Sequence, residues 1–296
     1  MSTGPRTGPD AGSLRLPRST AVGPGRGRQP RLLIDAPAGS SQIYLHGAHL
    51  TSWVPRGGRE VVFTSRQAVF DGATAIRGGV PLCLPWFTTG VDGLQRPSHG
   101  WGRLRPWVLR SVEQERDGSV RVLLGLEHDG LSLLYVVHVG HELELTLSLR
   151  NTGREPREIE AALHTYLAVG DVTAVEVTGL EGATYSDGVE GTRGNTQVGA
   201  LRISGPTDRV YSSQGPVTVR DPAGGRQILV TGSNAPSTVV WNPWRSGAAA
   251  MADMADEEFA SMLCVESAAV REHARLLGPG ESTTLGTRVE VLALSD

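Results

Sequence analysis

The chain has 296 residues, a formal net charge of -3 and 39% hydrophobic residues. This length suits one large all-β domain or two ordinary domains, and the slight negative charge predicts no general attraction to nucleic acid or to an anionic membrane. All 28 cationic residues are arginine, which excludes a Schiff-base, P-loop or general-base lysine. An anionic ligand must therefore be bound by arginine, histidine or backbone N–H groups.

The two cysteines, Cys83 and Cys264, both lie in apolar segments. We expect them to be buried core residues, with a disulfide or a reactive thiol as the less favoured alternative. No apolar run approaches the ~18 residues of a membrane span, and the N-terminus lacks the apolar centre of a secretion signal. We therefore expect a cytoplasmic protein that has no membrane partner.

Residues 1–29 are rich in Gly, Pro, Ser, Thr and Arg and contain few large apolar side chains. Such a composition buries too little surface to offset the entropy of ordering, so it predicts a disordered tail. A basic segment that touches lipid or nucleic acid is a less favoured alternative.

Short apolar segments separated by turns begin directly after this tail. They cover residues 31–34, 41–45, 49–54 and 61–64, and their close spacing predicts the strands of a β-sandwich or barrel-like fold. His46 and His49 lie on either side of one turn. A histidine on each side of a turn is more typical of the core or the surface than of a metal pair, so we assign no metal there.

The most informative stretch is residues 76–103, IRGGVPLCLPWFTTGVDGLQRPSHGWGR. It combines Arg77, His99 and Arg103 with glycines and prolines that fix unusual backbone conformations. Guanidinium groups bind phosphate or carboxylate through paired hydrogen bonds, and histidine exchanges protons near neutral pH. These features predict a ligand site, although a long surface loop with solvated charges has the same composition.

The middle of the chain predicts strands over residues 120–127, 131–139 and 142–150. The last of these alternates leucine with polar residues, which is typical of an antiparallel strand with one solvated face. A further apolar segment, 159–169, contains His164. On the residues alone, a core histidine satisfied by hydrogen bonds remains the favoured interpretation.

Two acidic residues in the last third of the chain are candidates for a site. Asp208 begins a predicted strand, where it could simply be a turn residue. Glu266 lies within the apolar segment 262–267, where burial would raise its pKa towards the range of a general base. A solvated strand end is the alternative for Glu266. Residues 248–259 are the one convincing helical segment, and strands continue on both sides of it.

Six motifs recur together, in this order, in one known family. They are Arg77-Gly-Gly-Val-Pro with Pro85-Trp-Phe, His99-Gly-Trp-Gly-Arg103, Leu163-His-Thr-Tyr166, Thr207-Asp-Arg-Val-Tyr211, Trp241-Asn-Pro243 and Cys264-Val-Glu266. Together they resemble the glucose-6-phosphate 1-epimerases (D-hexose-6-phosphate mutarotases) of the aldose 1-epimerase superfamily. The resemblance covers about residues 31–294.

This resemblance implies an all-β, galactose-mutarotase-like sandwich of two large, mostly antiparallel sheets with a concave sugar-binding face, formed as a single domain by residues 30–296. It implies an isomerase that interconverts the anomers of a hexose 6-phosphate, most simply glucose 6-phosphate. The partner is then a small sugar phosphate, with no nucleic acid, membrane, cofactor or metal, and we expect a monomer.

The resemblance also assigns roles to six residues. His164 would be the general acid at the ring oxygen, and Glu266 the general base at the anomeric hydroxyl. Substrate binding would involve Arg77, Arg103, His99 and Asp208, with the two arginines clamping the 6-phosphate, His99 near the anomeric centre and Asp208 on a hydroxyl. We expect the acid and the base on opposite sides of the acetal carbon.

The sequence departs from the family pattern at two places. Gly-Trp-Gly replaces the usual Gly-Phe-Ala between His99 and Arg103, and Thr88-Thr89 with a Gly-rich insert over residues 90–95 follows Phe87. Two other functions remain open. One is an aldose 1-epimerase for free sugars, in which the two arginines are structural ion-pair partners, and the other is a non-catalytic sandwich that binds a sugar or sugar phosphate.

Overall fold

The structure, a computed structural model, describes residues 14–294. Within them lie one α-helix, α1 (Trp244–Ala249), and the 3₁₀ helices Arg26–Arg28, Gly102–Leu104, Val172–Ala174, Glu258–Ser261 and Arg271–His273. The earlier strands are β1 (Thr20–Pro24), β2 (Pro30–Ala36), β3 (Gly39–Tyr44), β4 (His49–Pro55), β5 (Leu82–Cys83), β6 (Val108–Gln114), β7 (Val120–His128), β8 (Leu131–Val139), β9 (Leu143–Asn151), β10 (Arg157–Ile159), β11 (Ala161–Leu163) and β12 (Tyr166–Ala168). The later strands are β13 (Glu176–Thr178), β14 (Thr184–Asp187), β15 (Thr192–Thr196), β16 (Leu201–Arg202), β17 (Thr207–Ser212), β18 (Val217–Asp221), β19 (Arg226–Ser233), β20 (Ser237–Asn242), β21 (Met262–Ala269), β22 (Arg275–Leu277) and β23 (Ser282–Ala293).

Two large sheets dominate the fold. One has nine strands in the order β16-β13-β18-β19-β23-β9-β8-β7-β6, and the other has eight, β15-β14-β17-β20-β21-β11-β5, with β12 also paired to β21. A four-stranded sheet, β1-β2-β3-β4, and the pair β10-β22 complete the described strands. All neighbouring strands in the two large sheets run antiparallel, as the resemblance predicted.

The core lies between the two large sheets. In β9 the leucines are buried and the residues between them are mostly exposed, so the predicted period of two places one face on the core. Leu145 and Leu147 of that face share a single apolar cluster with Leu263 and Val265 of β21. Burial of this apolar surface holds the eight-stranded sheet against the nine-stranded sheet.

Strand β21 is buried at every residue, on both of its faces. Because neighbouring side chains point to opposite faces, Glu266 and Ala268 lie on the other face of the strand from Leu263, Val265 and Ser267. Ala268 packs there in a smaller apolar cluster with Val239 and Phe87, among others. This second face of the eight-stranded sheet carries the candidate site.

The predicted disordered tail, residues 1–29, is wrong over its last part, and residues 1–13 lie outside the described range. β1 pairs with β2 over five residue pairs, from Thr20 with Ile34 to Pro24 with Pro30. Arg26 donates from its guanidinium to the carbonyl oxygens of Ser65, Arg66 and Ala68. Backbone and arginine hydrogen bonds therefore order a segment that has few apolar side chains.

The predicted helix over residues 248–259 is also wrong. Helix α1 ends at Ala249, and the chain then continues in turns to the 3₁₀ helix Glu258–Ser261. Burial of the Glu258 carboxylate organises these turns, because it accepts hydrogen bonds from Ser65 Oγ and from the N–H groups of Arg66 and Ala255.

Two strand predictions needed adjustment. Residues 61–64 form only isolated bridges, and the single strand predicted over residues 159–169 is interrupted between β11 and β12. Both β11 and β12 pair with β21. The interruption leaves the His164-Thr165 dipeptide as a turn beside β21.

The buried cysteines and the two early histidines agree with the sequence interpretation. Cys83 and Cys264 are free and buried. His46 and His49 are buried, and the ring Nε2 of each bonds a backbone carbonyl, that of Thr74 and that of Gly78. Within residues 14–294, no helix is long and apolar enough to cross a membrane.

A buried amide, Asn242, holds the turn between β20 and α1 in place. Its Nδ2 donates to the carbonyls of Phe259 and Met262 at 2.9 and 2.8 Å, and its Oδ1 accepts from Trp244 N–H at 2.8 Å. We expect Asn242→Ala to lower the free energy of unfolding by about 2–3 kcal/mol, because three buried backbone groups lose their partner. Urea unfolding measures this loss.

The matched control is Asn195→Ala in the exposed hairpin of β14 and β15, where the amide bonds only Thr192 Oγ1. That change should stay within about 0.5 kcal/mol of the wild type. Equal losses in the two variants would contradict the role of Asn242.

Candidate active site

One cavity of about 350 Å³ on the outer face of the eight-stranded sheet brings together all six residues singled out in the sequence. They are Arg77, His99, Arg103, His164, Asp208 and Glu266. They come from five separate parts of the chain, so strand order, rather than sequence proximity, assembles the cavity.

His164 and Glu266 are buried side by side in this cavity. The imidazole Nδ1 lies 3.3 Å from Glu266 Oε1, and the two side chains are 9% and 1% exposed. The other carboxylate oxygen, Oε2, is buried without a hydrogen-bond partner among the described residues. Glu266 lies on β21, and His164 lies in the break between β11 and β12, the two strands that pair with β21.

Burial acts in opposite directions on the two groups. It lowers the pKa of His164 well below its usual 6.5, and the nearby His99, Arg103 and Arg77 lower that pKa further. Burial raises the pKa of Glu266 well above its usual value, and Asp208 adds to this rise. Loss of hydration disfavours the charged form of each group. The form that the empty site favours therefore has a neutral imidazole and a protonated carboxyl.

Three atoms at this position are also capable of binding a metal. Ligand atoms of His164, Cys264 and Glu266 lie within 4.8 Å of one another. The pKa of the Cys264 thiol is raised well above its usual value, chiefly by burial, which disfavours the thiolate that binds metals. A metal ion here would occupy the same His164 and Glu266 atoms that are available for proton transfer.

His99 stands over the same pocket on an unusual backbone. Its φ is +62°, and its Nδ1 accepts a weak hydrogen bond from Thr88 N–H at 3.4 Å. The ring meets His164 edge to face at 5.7 Å. Burial, together with Arg103 and Arg77, lowers the pKa of His99 to about 3. His99 is therefore a neutral hydrogen-bonding group at neutral pH.

Arg77 is held rigidly at the edge of the cavity. Its Nε lies 3.2 Å from Asp253 Oδ1, and its Nη1 donates to the Tyr166 hydroxyl at 3.1 Å. The Tyr166 ring stacks on His164 at 4.8 Å, with 11° between the ring planes. One phenol therefore supports both the arginine and the histidine.

Arg103 is held less completely. Its Nη2 donates to the Ser98 carbonyl at 3.0 Å, while its buried Nε has no hydrogen-bond partner among the described residues. Within residues 14–294, no carboxylate lies within ion-pair distance of this guanidinium. Arg103 therefore offers the cavity an uncompensated positive charge.

Asp208 lines the same cavity from β17, where it lies opposite Trp241 of β20. Burial raises its pKa, while Arg271 acts in the opposite direction. Gly188 donates its N–H to the Asp208 carbonyl at 2.7 Å, and a Cβ at Gly188 would lie 2.3 Å from Asp208 Oδ2. The missing side chain of Gly188 thus leaves room for the carboxylate.

Sequence reasoning missed Asp253 and gave no role to Tyr166. Asp253 lies in the segment that was interpreted as a helix, and nothing in the sequence alone connects it with Arg77. Tyr166 lies within the motif Leu163-His-Thr-Tyr166, and its position two residues after His164 is the sequence feature that could have indicated a role in the site.

The Gly-rich insert over residues 90–95 does not line this cavity. Thr88 alone of residues 88–95 contributes to it, whereas Gly90, Val91, Asp92 and Gly93 line a neighbouring cavity. The insert that departs from the family pattern therefore borders the space beside the site and does not line the cavity of Arg77 and Arg103.

The fold and the site define a class of protein, the galactose-mutarotase-like sandwiches with a histidine and a glutamate in a concave face. The aldose 1-epimerase family model matches residues 30–290. The chain belongs to the aldose 1-epimerase family.

Individual relatives agree with this assignment. A protein of Escherichia coli (strain K12), provisionally named glucose-6-phosphate 1-epimerase, is 35% identical over 256 residues, covering 81% of this chain and 83% of its own length. A protein of Cenchrus ciliaris with the same provisional name is 35% identical over 260 residues, covering 81% and 78%. The crystal structure of YeaD from Salmonella typhimurium, provisionally called a mutarotase, superposes with a TM-score of 0.86 at 27% identity, covering 95% and 96% of the two chains.

The lowered pKa of His164 gives a direct prediction. We expect its imidazole to stay neutral in the folded protein through the pH range, centred at ~6.5, in which the histidines of the denatured chain take up a proton. Nitrogen-15 NMR of the labelled protein measures this, with His164→Gln used to assign the signal. A midpoint between pH 6 and 7 for that signal would contradict the effect of burial.

Proposed function

We propose that this protein interconverts the α and β anomers of a hexose 6-phosphate, with glucose 6-phosphate as the simplest substrate. The names of the relatives support the reaction. The observation that carries the proposal is a buried acid–base pair in the same cavity as two arginines, one of which has no carboxylate partner. The six site residues keep the roles given above as part of this proposal.

The arginines favour a sugar phosphate over a free sugar. A structural ion pair would satisfy Arg77, because Asp253 lies beside it, but no such carboxylate accompanies Arg103. A phosphate monoester accepts several charge-assisted hydrogen bonds, including paired bonds from a guanidinium group. Bound between the two arginines, it would occupy the unpartnered Nε of Arg103.

The reaction needs only one proton on the His164 and Glu266 pair. Glu266 takes the proton from the anomeric hydroxyl, the O1 lone pair forms the carbonyl, the C1–O5 bond breaks, and O5 takes a proton from His164. Rotation about C1–C2 and reversal of each step on the other carbonyl face give the other anomer. No proton or electron is gained or lost overall.

The geometry of the pair suits this sequence of steps. Nδ1 of His164 faces Glu266 Oε1 at 3.3 Å, so Nε2 is left to meet O5 and the unpartnered Oε2 is left to meet O1. Two adjacent side chains can reach O1 and O5 because both oxygens are bonded to C1. Transfer of the Glu266 proton to His164 Nδ1 across this contact first gives imidazolium and carboxylate, and ring opening then returns the two groups to the neutral pair, which burial favours.

His99 and Asp208 complete the binding of the sugar. A neutral His99 donates or accepts a hydrogen bond near the anomeric centre without adding a charge that would compete with the acid. The Asp208 carboxylate holds a hydroxyl at the opposite end from the arginines, so the sugar lies between two fixed ends. Such positioning places the reacting atoms within reach of the acid and the base.

We also propose that residues 30–296 act as one domain, that the protein works as a monomer, and that it is cytoplasmic. Two free buried cysteines are consistent with a reducing compartment.

The test is the rate of anomer exchange measured by NMR exchange or polarimetry, on glucose 6-phosphate and on glucose. We expect acceleration of the phosphate, and we expect Glu266→Gln and His164→Ala each to lower kcat by at least ~10²-fold, the usual contribution of one positioned proton-transfer group. Urea unfolding of both variants verifies that they remain folded.

Each alternative function has its own outcome in this assay. Equal acceleration of glucose would favour an aldose 1-epimerase of free sugars. Binding of glucose 6-phosphate without acceleration would favour a non-catalytic sensor. Near-normal turnover in either folded variant would remove that residue from the mechanism.

The position of Arg77 depends on Asp253, which gives a separate prediction. We expect Asp253→Asn to raise KM for glucose 6-phosphate ~10-fold with a smaller change in kcat, because the amide loses the charge that orients the guanidinium. Steady-state kinetics measures both constants. The control is Asp256→Asn, three residues further on and exposed. A fall in kcat without a change in KM would place Asp253 in catalysis instead of in phosphate binding.

A further inference from the structure

A second and larger cavity, of about 590 Å³, lies beside the active site. Phe87 and Thr88 line both cavities. The Gly-rich insert over residues 90–93 forms one wall of the second cavity, and the end of β14 with the hairpin to β15 forms another. The departure from the family pattern therefore builds part of this space.

Two arginines line the second cavity, and neither is paired with a carboxylate. Within residues 14–294, the Arg193 side chain has no hydrogen bond or ion pair. Arg271 donates from Nη1 to Ser186 Oγ and has no acidic partner. Both arginines also line a smaller adjoining cavity of about 250 Å³, so the two residues border the same space.

The acidic residues of the cavity are engaged elsewhere. Asp187 pairs with Arg209 at 3.0 Å, and Asp92 accepts from Leu94 N–H and from the Gln95 amide. Glu272 accepts from Ser212 Oγ at 3.2 Å. Glu160 is 4% exposed, and its two oxygens accept from Phe87 N–H at 3.0 Å and from Arg271 N–H at 2.7 Å. The two arginines thus keep most of their donors free.

Glu160 fixes the backbone that carries Arg271. Arg271 has a φ of +56°, an uncommon conformation for a residue with a side chain. The buried carboxylate fixes that backbone through the Arg271 N–H and, through its other oxygen, fixes the loop at Phe87 that borders the active site. The Glu160 side chain therefore holds a wall residue of each cavity in place, Phe87 and Arg271.

Asp208 marks the boundary between the two cavities. It lines the active site, while Gly188, which contacts it, lines the second cavity. A sugar held by Arg77 and Arg103 at one end and by Asp208 at the other would point its far end at Arg271.

We propose that Arg193 and Arg271 form a second anion subsite, specific for a phosphoryl group, at the end of the active site opposite Arg77 and Arg103. The proposal rests on the proposed function only for the orientation of the sugar. The phosphoryl group comes either from a doubly phosphorylated hexose or from a separate phosphate anion, since both present the same oxygens to the guanidinium groups.

The first experiment uses inorganic phosphate and calorimetry at constant ionic strength. Arg103→Gln removes one of the two arginines of the proposed clamp, so the part of the remaining phosphate binding that depends on Arg193 and Arg271 reports the second subsite. We expect addition of Arg193→Gln and Arg271→Gln to weaken that binding by at least ~10-fold, as loss of charge-assisted hydrogen bonds does. The matched control adds Arg116→Gln and Arg154→Gln, two exposed arginines outside both cavities, and should leave the affinity unchanged.

The second experiment identifies the source of the phosphoryl group. A KM at least ~10-fold lower for a hexose 6-phosphate bearing a second phosphoryl group than for glucose 6-phosphate, lost with Arg193→Gln and Arg271→Gln, assigns the subsite to the substrate. Binding of inorganic phosphate without that preference assigns it to a separate anion.

Absence of phosphate binding in Arg103→Gln, or binding that Arg193→Gln and Arg271→Gln leave unchanged, would overturn the subsite. Failure of the proposed function gives a different result. The protein would then not turn over glucose 6-phosphate, but its phosphate binding would still depend on Arg193 and Arg271.

Discussion

The exclusion of water from Glu266 and His164 is the constraint on which the rest of the site depends. Glu266 lies in the middle of β21, a strand buried on both faces, and the carboxyl and imidazole atoms approach to 3.3 Å. In water, hydration would stabilise the charged form of each group separately, and transfer of a proton between them would be unfavourable. Without water, the two groups together carry one proton most easily. The remaining features of the cavity serve to bring a sugar to this pair.

Backbone hydrogen bonds to buried side chains hold the loops around the pair. Glu160 fixes the loop at Phe87, Glu258 organises the turns after α1, and Asn242 fixes the turn before it. Each of these side chains satisfies two or more backbone groups that would otherwise be buried without partners. These side chains stabilise the fold largely because the backbone groups that they bond would otherwise be buried without partners. They also hold in place the loops and turns around the cavity.

The sequence predicted the elements whose pattern is local. The alternation of leucines identified β9, and the six ordered motifs identified the family and gathered the residues that line one cavity. The sequence did not predict β1, because its order comes from ladder bonds to β2 and from Arg26 instead of from apolar burial. It also could not place His164 next to Glu266, because that contact depends on β11 and β12 both pairing with β21. The partners of Arg77 and Arg271 are likewise set by contacts between distant parts of the chain.

Tyr166 links the arginine proposed to bind the phosphate to the histidine proposed as the general acid. Its ring lies against His164, and its hydroxyl accepts the Arg77 hydrogen bond in a position that is 1% exposed. Removal of Arg77 alone, as a route towards neutral sugars, would leave that hydroxyl buried with no partner and free to reorient, and the ring beneath the acid would be free to move with it. Evolution or design of a free-sugar enzyme from this scaffold would therefore have to change Arg77 and Tyr166 together. In the proposed mechanism, selectivity for the phosphate and the position of the general acid therefore depend on the same tyrosine.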